Sequence, residues 1–137
     1  MPKNDEGLAL LKDSHGRNVP LTCVNIRARI YGLIAEIEVE QNYKNFQAAN
    51  IEAIYMFPLP IGAVLLGLEV ELSGKNLSGT VVERKAAERS YEEAITDGDS
   101  AVMLQEAGPG LYAASIGNLM AHESAVIRYR YGLMLSW

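Results

Sequence analysis

Apolar side chains recur at every second position along most of this 137-residue chain, which is the pattern of strands with one face turned inward. Val24, Ile26, Ala28 and Ile30 alternate with Arg27 and Arg29; Leu33, Ala35, Ile37 and Val39 then alternate with Glu36, Glu38 and Glu40. A hairpin with one wet face follows. A two-residue turn at Tyr31-Gly32 sets Ile30 opposite Leu33, Ala28 opposite Ala35 and Ile26 opposite Ile37, and places Arg27 across from Glu36. Upstream, Leu8 to Lys12 and Val19-Pro20-Leu21 flank the turn-rich Asp13 to Asn18, predicting an edge strand or ribbon. Downstream, Ile51 to Phe57 has the composition of a buried strand, ended by Pro58, which lacks a ladder donor.

Val64 to Leu72 alternates Leu66, Leu68, Val70 and Leu72 against Glu69 and Glu71, and Ser73-Gly74-Lys75-Asn76 turns it toward Leu77 to Val82 in a second hairpin. Arg84 to Thr96 changes period. Ala87, Tyr91, Ala94 and Ile95 share one stripe of a helix, with Lys85, Glu88, Arg89, Glu92 and Glu93 opposite. Asp97-Gly98 supplies the stop. Strands resume at Ala101 to Glu106 and Leu111 to Ile116, then in a final run where Ala125, Ile127, Tyr129, Tyr131 and Leu133 alternate with Arg128 and Arg130. The expected fold is mainly β, an antiparallel sandwich or distorted barrel with one amphipathic helix at about 84–96.

Composition narrows the classes. With 49% hydrophobic and 21% charged residues, the chain is large enough for a single domain, 1–137, to bury a core without disulfide or metal staples. A formal net charge of −5 argues against nucleic acid, whose binding depends on clustered Lys and Arg; it disfavours acidic partners over the chain as a whole while leaving room for a local basic patch. The lone Cys23 has no partner for a disulfide or zinc site, and free cysteine is among the most buried residue types, predicting an inert core thiol. The start of the chain lacks the apolar run of a signal peptide, and the longest nearly apolar run, Ile61 to Leu68, is far too short to span a bilayer. A soluble chain is expected, its compartment unassigned.

Several short motifs in a fixed order resemble the VIT domain, the vault and inter-alpha-trypsin module found beside von Willebrand factor A domains in larger proteins. They are Pro20-Leu21; Gln41-Asn42-Tyr43-Lys44-Asn45; the Phe57-Pro58-Leu59-Pro60 corner; Glu83, Ala87, Tyr91, Ala94 and Gly98 around the helix; Ala101 to Leu104; Ser115-Ile116-Gly117-Asn118-Leu119; and Tyr129-Arg130-Tyr131. The likeness covers about 8–133. One departure is the turn after the penultimate strand, where Met120-Ala121-His122-Glu123 replaces a Pro-Gly-Glu-like sequence. The resemblance implies a mainly antiparallel sandwich and a noncatalytic interaction or scaffolding module, docked beside a von Willebrand factor A domain and excised from a longer multidomain protein.

Residues able to carry chemistry are sparse. His15 and His122 sit in polar turns, and Ser14-His15 lacks the orienting acid of a triad. Glu88, Glu92 and Glu93, which a glycosidase-like hydrolase would need, share the charged helix face with Lys85 and Arg89. Asp97-Gly98-Asp99-Ser100 lacks the length and downstream Glu of a calcium loop, and the glycines form no phosphate cradle. No catalytic, cofactor or metal residue is therefore assigned. Tyr55, Tyr129 and Tyr131 follow the inward register; an exposed aromatic face would instead suit a carbohydrate-binding or adhesive module. The final Leu133-Met134-Leu135-Ser136-Trp137 is an apolar stretch without edge-protecting charge, which marks Leu133, Met134, Leu135 and Trp137 as a candidate interaction surface for a protein partner, an adjacent domain or a second copy.

Overall fold

Strand pairing divides the chain between two antiparallel sheets, seen in a computed structural model that describes residues 9–72, 74–79 and 102–136. In chain order the strands are β1 (Leu10–Asp13), β2 (Leu21–Tyr31), β3 (Ile34–Lys44), β4 (Ile51–Pro58), β5 (Val64–Leu72), β6 (Lys75–Gly79), β7 (Val102–Gly108), β8 (Leu111–Leu119) and β9 (Ser124–Met134). A four-stranded sheet runs β1-β4-β8-β7 and a five-stranded sheet β2-β3-β9-β5-β6. The sheets form a sandwich with open edges, so the barrel alternative falls. The helix expected at 84–96 lies outside the described residues, and the described residues contain no helix long and apolar enough to cross a membrane.

The core follows from alternation. Val39 and Tyr43 on β3, Leu68, Val70 and Leu72 on β5, and Ala125, Ile127 and Tyr129 on β9 face Leu11, Ala53, Tyr55, Phe57, Leu104, Ala114 and Ile116 of the other sheet. Phe57, fully buried, stacks on Tyr129 with ring centroids 4.5 Å apart and on Tyr55 and Tyr112 at 5.4 and 5.6 Å. Offset aromatic pairs at such separations add about 0.5–1.5 kcal/mol each beyond area burial. The sandwich is thus riveted across its two sheets by one aromatic stack.

The structure corrects four expectations. The first is the hairpin register: Tyr31 pairs with Ile34, Ile30 with Ala35, Ala28 with Ile37 and Ile26 with Val39, so Arg27 faces Glu38 and Arg29 faces Glu36. The turn is Gly32-Leu33, because Gly32 holds φ 59°, a left-handed value that glycine adopts freely and Tyr31 would not. A shift of one turn position moves every partner by two, which preserves the faces and hides the error in the hydrophobic pattern. The second is Leu66, exposed because a register break between Leu65 and Gly67 sends Leu65 inward instead. The third is β4, whose Ile54 and Met56 are exposed while Ala53, Tyr55 and Phe57 are buried, so only one of its faces is covered.

The fourth correction concerns β2 and Cys23. Every residue of β2 is exposed, Cys23 included. The five-stranded sheet has one strand more than its partner, and β2 is the terminal one. Among the described residues no strand of the other sheet lies across its inner face. The apolar row Val24, Ile26, Ala28 and Ile30 points to the side of Ala35, Ile37 and Val39 and still meets solvent.

Candidate functional site

The predicted motif residues divide between structural staples and an open surface. Gln41 is a staple. Buried on β3, its Oε1 accepts hydrogen bonds from Tyr43 Oη at 2.9 Å and Tyr55 Oη at 2.5 Å, joining the two sheets through one amide. Burial pushes the Tyr43 and Tyr55 phenols well above their ordinary pKa, and burial with the nearby Tyr131 pushes Tyr129 up to about 12. Uncharged hydroxyls that donate to Gln41 are the consistent state.

Asn45 closes the opposite end. Its side chain is 1% exposed; Nδ2 reaches the carbonyls of Ala49, Met120 and Leu119 at 2.9, 3.1 and 3.3 Å, and Oδ1 accepts from Gln47 N at 3.0 Å. This ties the β3–β4 connection to the β8–β9 turn. In that turn Glu123 N donates to Met120 O at 3.0 Å, Met120 N to Glu123 Oε1 and Ala121 N to Asn50 Oδ1, each at 2.9 Å. His122 takes φ 62°, so it occupies a left-handed position that glycine fills with less strain. Gly117 is the extra residue of a bulge, since Glu52 pairs with Asn118 and Ala53 with Ile116.

Pro58, Leu59 and Pro60 form the corner that the sequence predicts. Leu59 N donates to Gly110 O at 2.8 Å, and Gly110 carries φ 70°, where a Cβ would stand a tight 3.3 Å from Leu59 O. The corner also walls a groove of about 480 Å³ whose floor is Val24, Ile26, Val39 and Gln41, with Ala9 and Tyr131 at its margins. Tyr131 is half-buried, its ring 6.3 Å from that of Tyr129. Gln41, Pro58, Leu59, Pro60 and Tyr131 are thus brought together around one concavity. Glu83, Ala87, Tyr91, Ala94, Gly98 and Trp137 lie outside the described residues.

A second apolar surface sits at the β2–β3 hairpin end. Tyr31, Ile34 and Met134 form one cross-strand row on the outer face, Val64 pairs with Gly132 in the next row and Leu66 leans toward the same glycine, and Leu33 follows in the turn. These six are 45–70% exposed, while Ile30, 66% exposed, lies on the opposite, inner face. Of the stretch marked by sequence, Met134 belongs to this surface; Leu133 and Leu135 are half-buried, Leu133 pairing with Ala35 and Leu135 N donating to Leu33 O at 2.6 Å. Sequence reasoning missed Val64 and Leu66 because their alternation reads as core, and Ile34 because it falls on the polar side of the hairpin's alternation. Among the described residues no layer covers them.

Beyond that apolar end the outer face of the five-stranded sheet is a charge ladder. Arg128 Nε is 2.6 Å from Glu40 Oε2 and its Nη2 3.5 Å from Glu71 Oε2, while Arg130 Nη1 is 3.4 Å from Glu36 Oε1. The Arg128 hydrogen bond, with one from Asn25, holds the Glu40 carboxyl below its usual range. These carboxylates are half-buried and paired with arginine across strands, an arrangement of ion pairs and not of a proton-transfer site. His15 and His122 are exposed in separate turns, and the described residues contain no group of three or more His, Cys, Asp or Glu able to hold a metal.

Comparison with known proteins agrees with this architecture. The vault protein inter-alpha-trypsin domain matches residues 21–131. Human protein mono-ADP-ribosyltransferase PARP4 is 36% identical over 126 residues, covering 92% of this chain and 7% of that protein. Human von Willebrand factor A domain-containing protein 5A is 25% identical over 119 residues, covering 85% and 15%. A von Willebrand factor A domain-containing protein of Dictyostelium discoideum is 31% identical over 88 residues, covering 64% and 10%. The chain therefore spans a small fraction of the length of these relatives, and it belongs to the vault protein inter-alpha-trypsin (VIT) domain family.

Proposed function

We propose that this chain is a noncatalytic protein-interaction module, one VIT domain of a longer multidomain protein, which docks an adjacent domain through the hairpin end. The observation that carries the reading is the apolar surface of Tyr31, Ile34, Leu66 and Met134. Exposed apolar side chains grouped in this way are characteristic of surfaces that another protein covers. Relatives whose names place them with von Willebrand factor A domains support such a domain as the neighbour. The ADP-ribosyl transfer named for the human relative belongs to that protein, of which this chain matches 7%.

The carbohydrate-binding reading receives less support. Tyr43, Tyr55, Phe57 and Tyr129 are buried. Tyr31 and Phe46 are exposed at opposite ends of β3, and the Lys44 ammonium sits 5.2 Å from the Phe46 ring centre. Among the described residues no paired aromatic platform results.

The test is sedimentation of the isolated chain, in which a second copy takes the place of the missing neighbour. Self-association across the micromolar range is expected, weakened by Ile34→Lys with Met134→Lys. An identical monomer for both proteins at every concentration would overturn the docking surface. Point substitution is preferable to removing 133–137, because Leu133 and Leu135 hold the ladder to β3.

A further inference from the structure

The free edge of β2 is a different surface, and the cross-strand charge pattern states what fits it. β2 is eleven residues long and terminal in its sheet among the described residues, so every second backbone N–H and C=O points away from β3 without a described strand to meet. A bulge between Leu21 and Cys23 blunts its first end, but Val24 to Tyr31 contains no proline, glycine or register break. That length is sufficient for strand addition.

Side chains select the occupant. On the outer face, Arg27 and Arg29 already meet Glu38 and Glu36 on one flank. Two strands further in, Arg128 shows the completed arrangement, with Glu40 on one flank and Glu71 on the other. Among the described residues β2 has no outer neighbour, so the acids that act on Arg29, Glu36 and Glu38, both come from the β3 flank, and the other flank of Arg27 and Arg29 is without one. On the inner face, Val24, Ile26 and Ile30 are exposed beside the groove walled by Pro58 and Pro60.

A second copy fits poorly. Two-fold pairing of β2 with itself centred on Arg27, Ala28 or Arg29 places arginine opposite arginine, which is destabilising in a cross-strand pair. We propose that β2 receives an extended segment of a partner protein in which acidic and apolar residues alternate, the acids meeting Arg27 and Arg29 and the apolar residues covering Val24, Ile26 and the groove. The chain's own β3 has this alternation, with Glu36, Glu38 and Glu40 between Ala35, Ile37 and Val39.

The experiment titrates the whole chain with synthetic octapeptides of alternating Val-Glu and alternating Val-Lys, read by amide hydrogen exchange and NMR shifts. The Val-Glu peptide is expected to slow exchange at alternate amides within 24–31, and Arg27→Gln with Arg29→Gln to weaken it about tenfold. The thermal midpoint of that variant reports whether it folds; if it does not, loss of Val-Glu binding to the native chain between low and high salt serves in its place. Equal binding of the Val-Lys peptide, protection outside β2, or protection of β2 by raised chain concentration alone would each overturn the proposal. None of these results bears on docking at Ile34 and Met134, which is read by sedimentation.

Discussion

Gln41 should be worth more to stability than any surface charge of this domain, because two buried phenols depend on one amide oxygen. Gln41→Met keeps the volume approximately and removes the acceptor. Tyr43 Oη retains the Ala9 carbonyl at 3.4 Å as a second choice, whereas Tyr55 is fully buried with Gln41 as its hydrogen-bond acceptor. A buried hydroxyl left unpaired costs about 1–3 kcal/mol and a rearranged one less, giving a loss of about 2–4 kcal/mol. At this chain length that is a fall of roughly 10 °C in thermal midpoint. Tyr55→Phe alone should cost about 1 kcal/mol, since Gln41 keeps Tyr43 as a donor. The informative assay is the double-mutant cycle in urea. In the Tyr55→Phe background the cost of Gln41→Met should shrink by about 1–2 kcal/mol. An unchanged cost would show that Gln41 acts by packing alone, and the argument from the shared acceptor would be wrong.

Three further outcomes follow from the structure. Because the folded pKa of Tyr129 is about 12 and those of Tyr43 and Tyr55 are higher still, against about 10 when unfolded, their contribution is complete below pH 10 and is lost as pH rises. Three such groups give a slope of up to about 4 kcal/mol per pH unit, and Tyr129→Phe should reduce it by about one third in alkaline unfolding; an unaltered slope would contradict the burial argument. His122→Gly should raise stability by about 0.5–1 kcal/mol by relieving a left-handed φ, whereas Ala121→Gly should lower it; a loss from both would mean that the His122 side chain has a role of its own. Replacing Pro58 and Pro60 by Ala should lower the denaturant midpoint by about 1 kcal/mol equivalent through the unfolded chain, and an unchanged midpoint would remove the corner's stabilising role.

Strand positions were legible in the sequence because a period of two survives whatever lies above each face. Phe57, Tyr55 and Tyr129 could be assigned to the core on that ground, and β9 keeps its expected inward set, with Ala125, Ile127 and Tyr129 buried. Coverage was not legible. Val24, Ile26 and Ile30 obey the same alternation as Val39 and Tyr43 yet stay wet, since burial depends on how many strands each sheet contains. The same gap accounts for Cys23, whose residue type predicts a core position and whose edge strand denies it one. The hairpin register was ambiguous for a different reason: turns at Tyr31-Gly32 and Gly32-Leu33 both keep the apolar residues on one face, and only the left-handed backbone at Gly32 separates them. Gln41, Tyr43 and Asn45 were recognised as a motif, but their hydrogen bonds reach Tyr55, Ala49 and Met120, partners that no local pattern names.

The most direct test of the proposed docking role is amide hydrogen exchange on this chain alone and within the longer multidomain protein proposed for it. Slower exchange in the longer protein is predicted at 31–34 and 132–134, where Tyr31, Ile34 and Met134 meet solvent. Unchanged exchange there, with any protection confined to other faces, would contradict docking through the hairpin end.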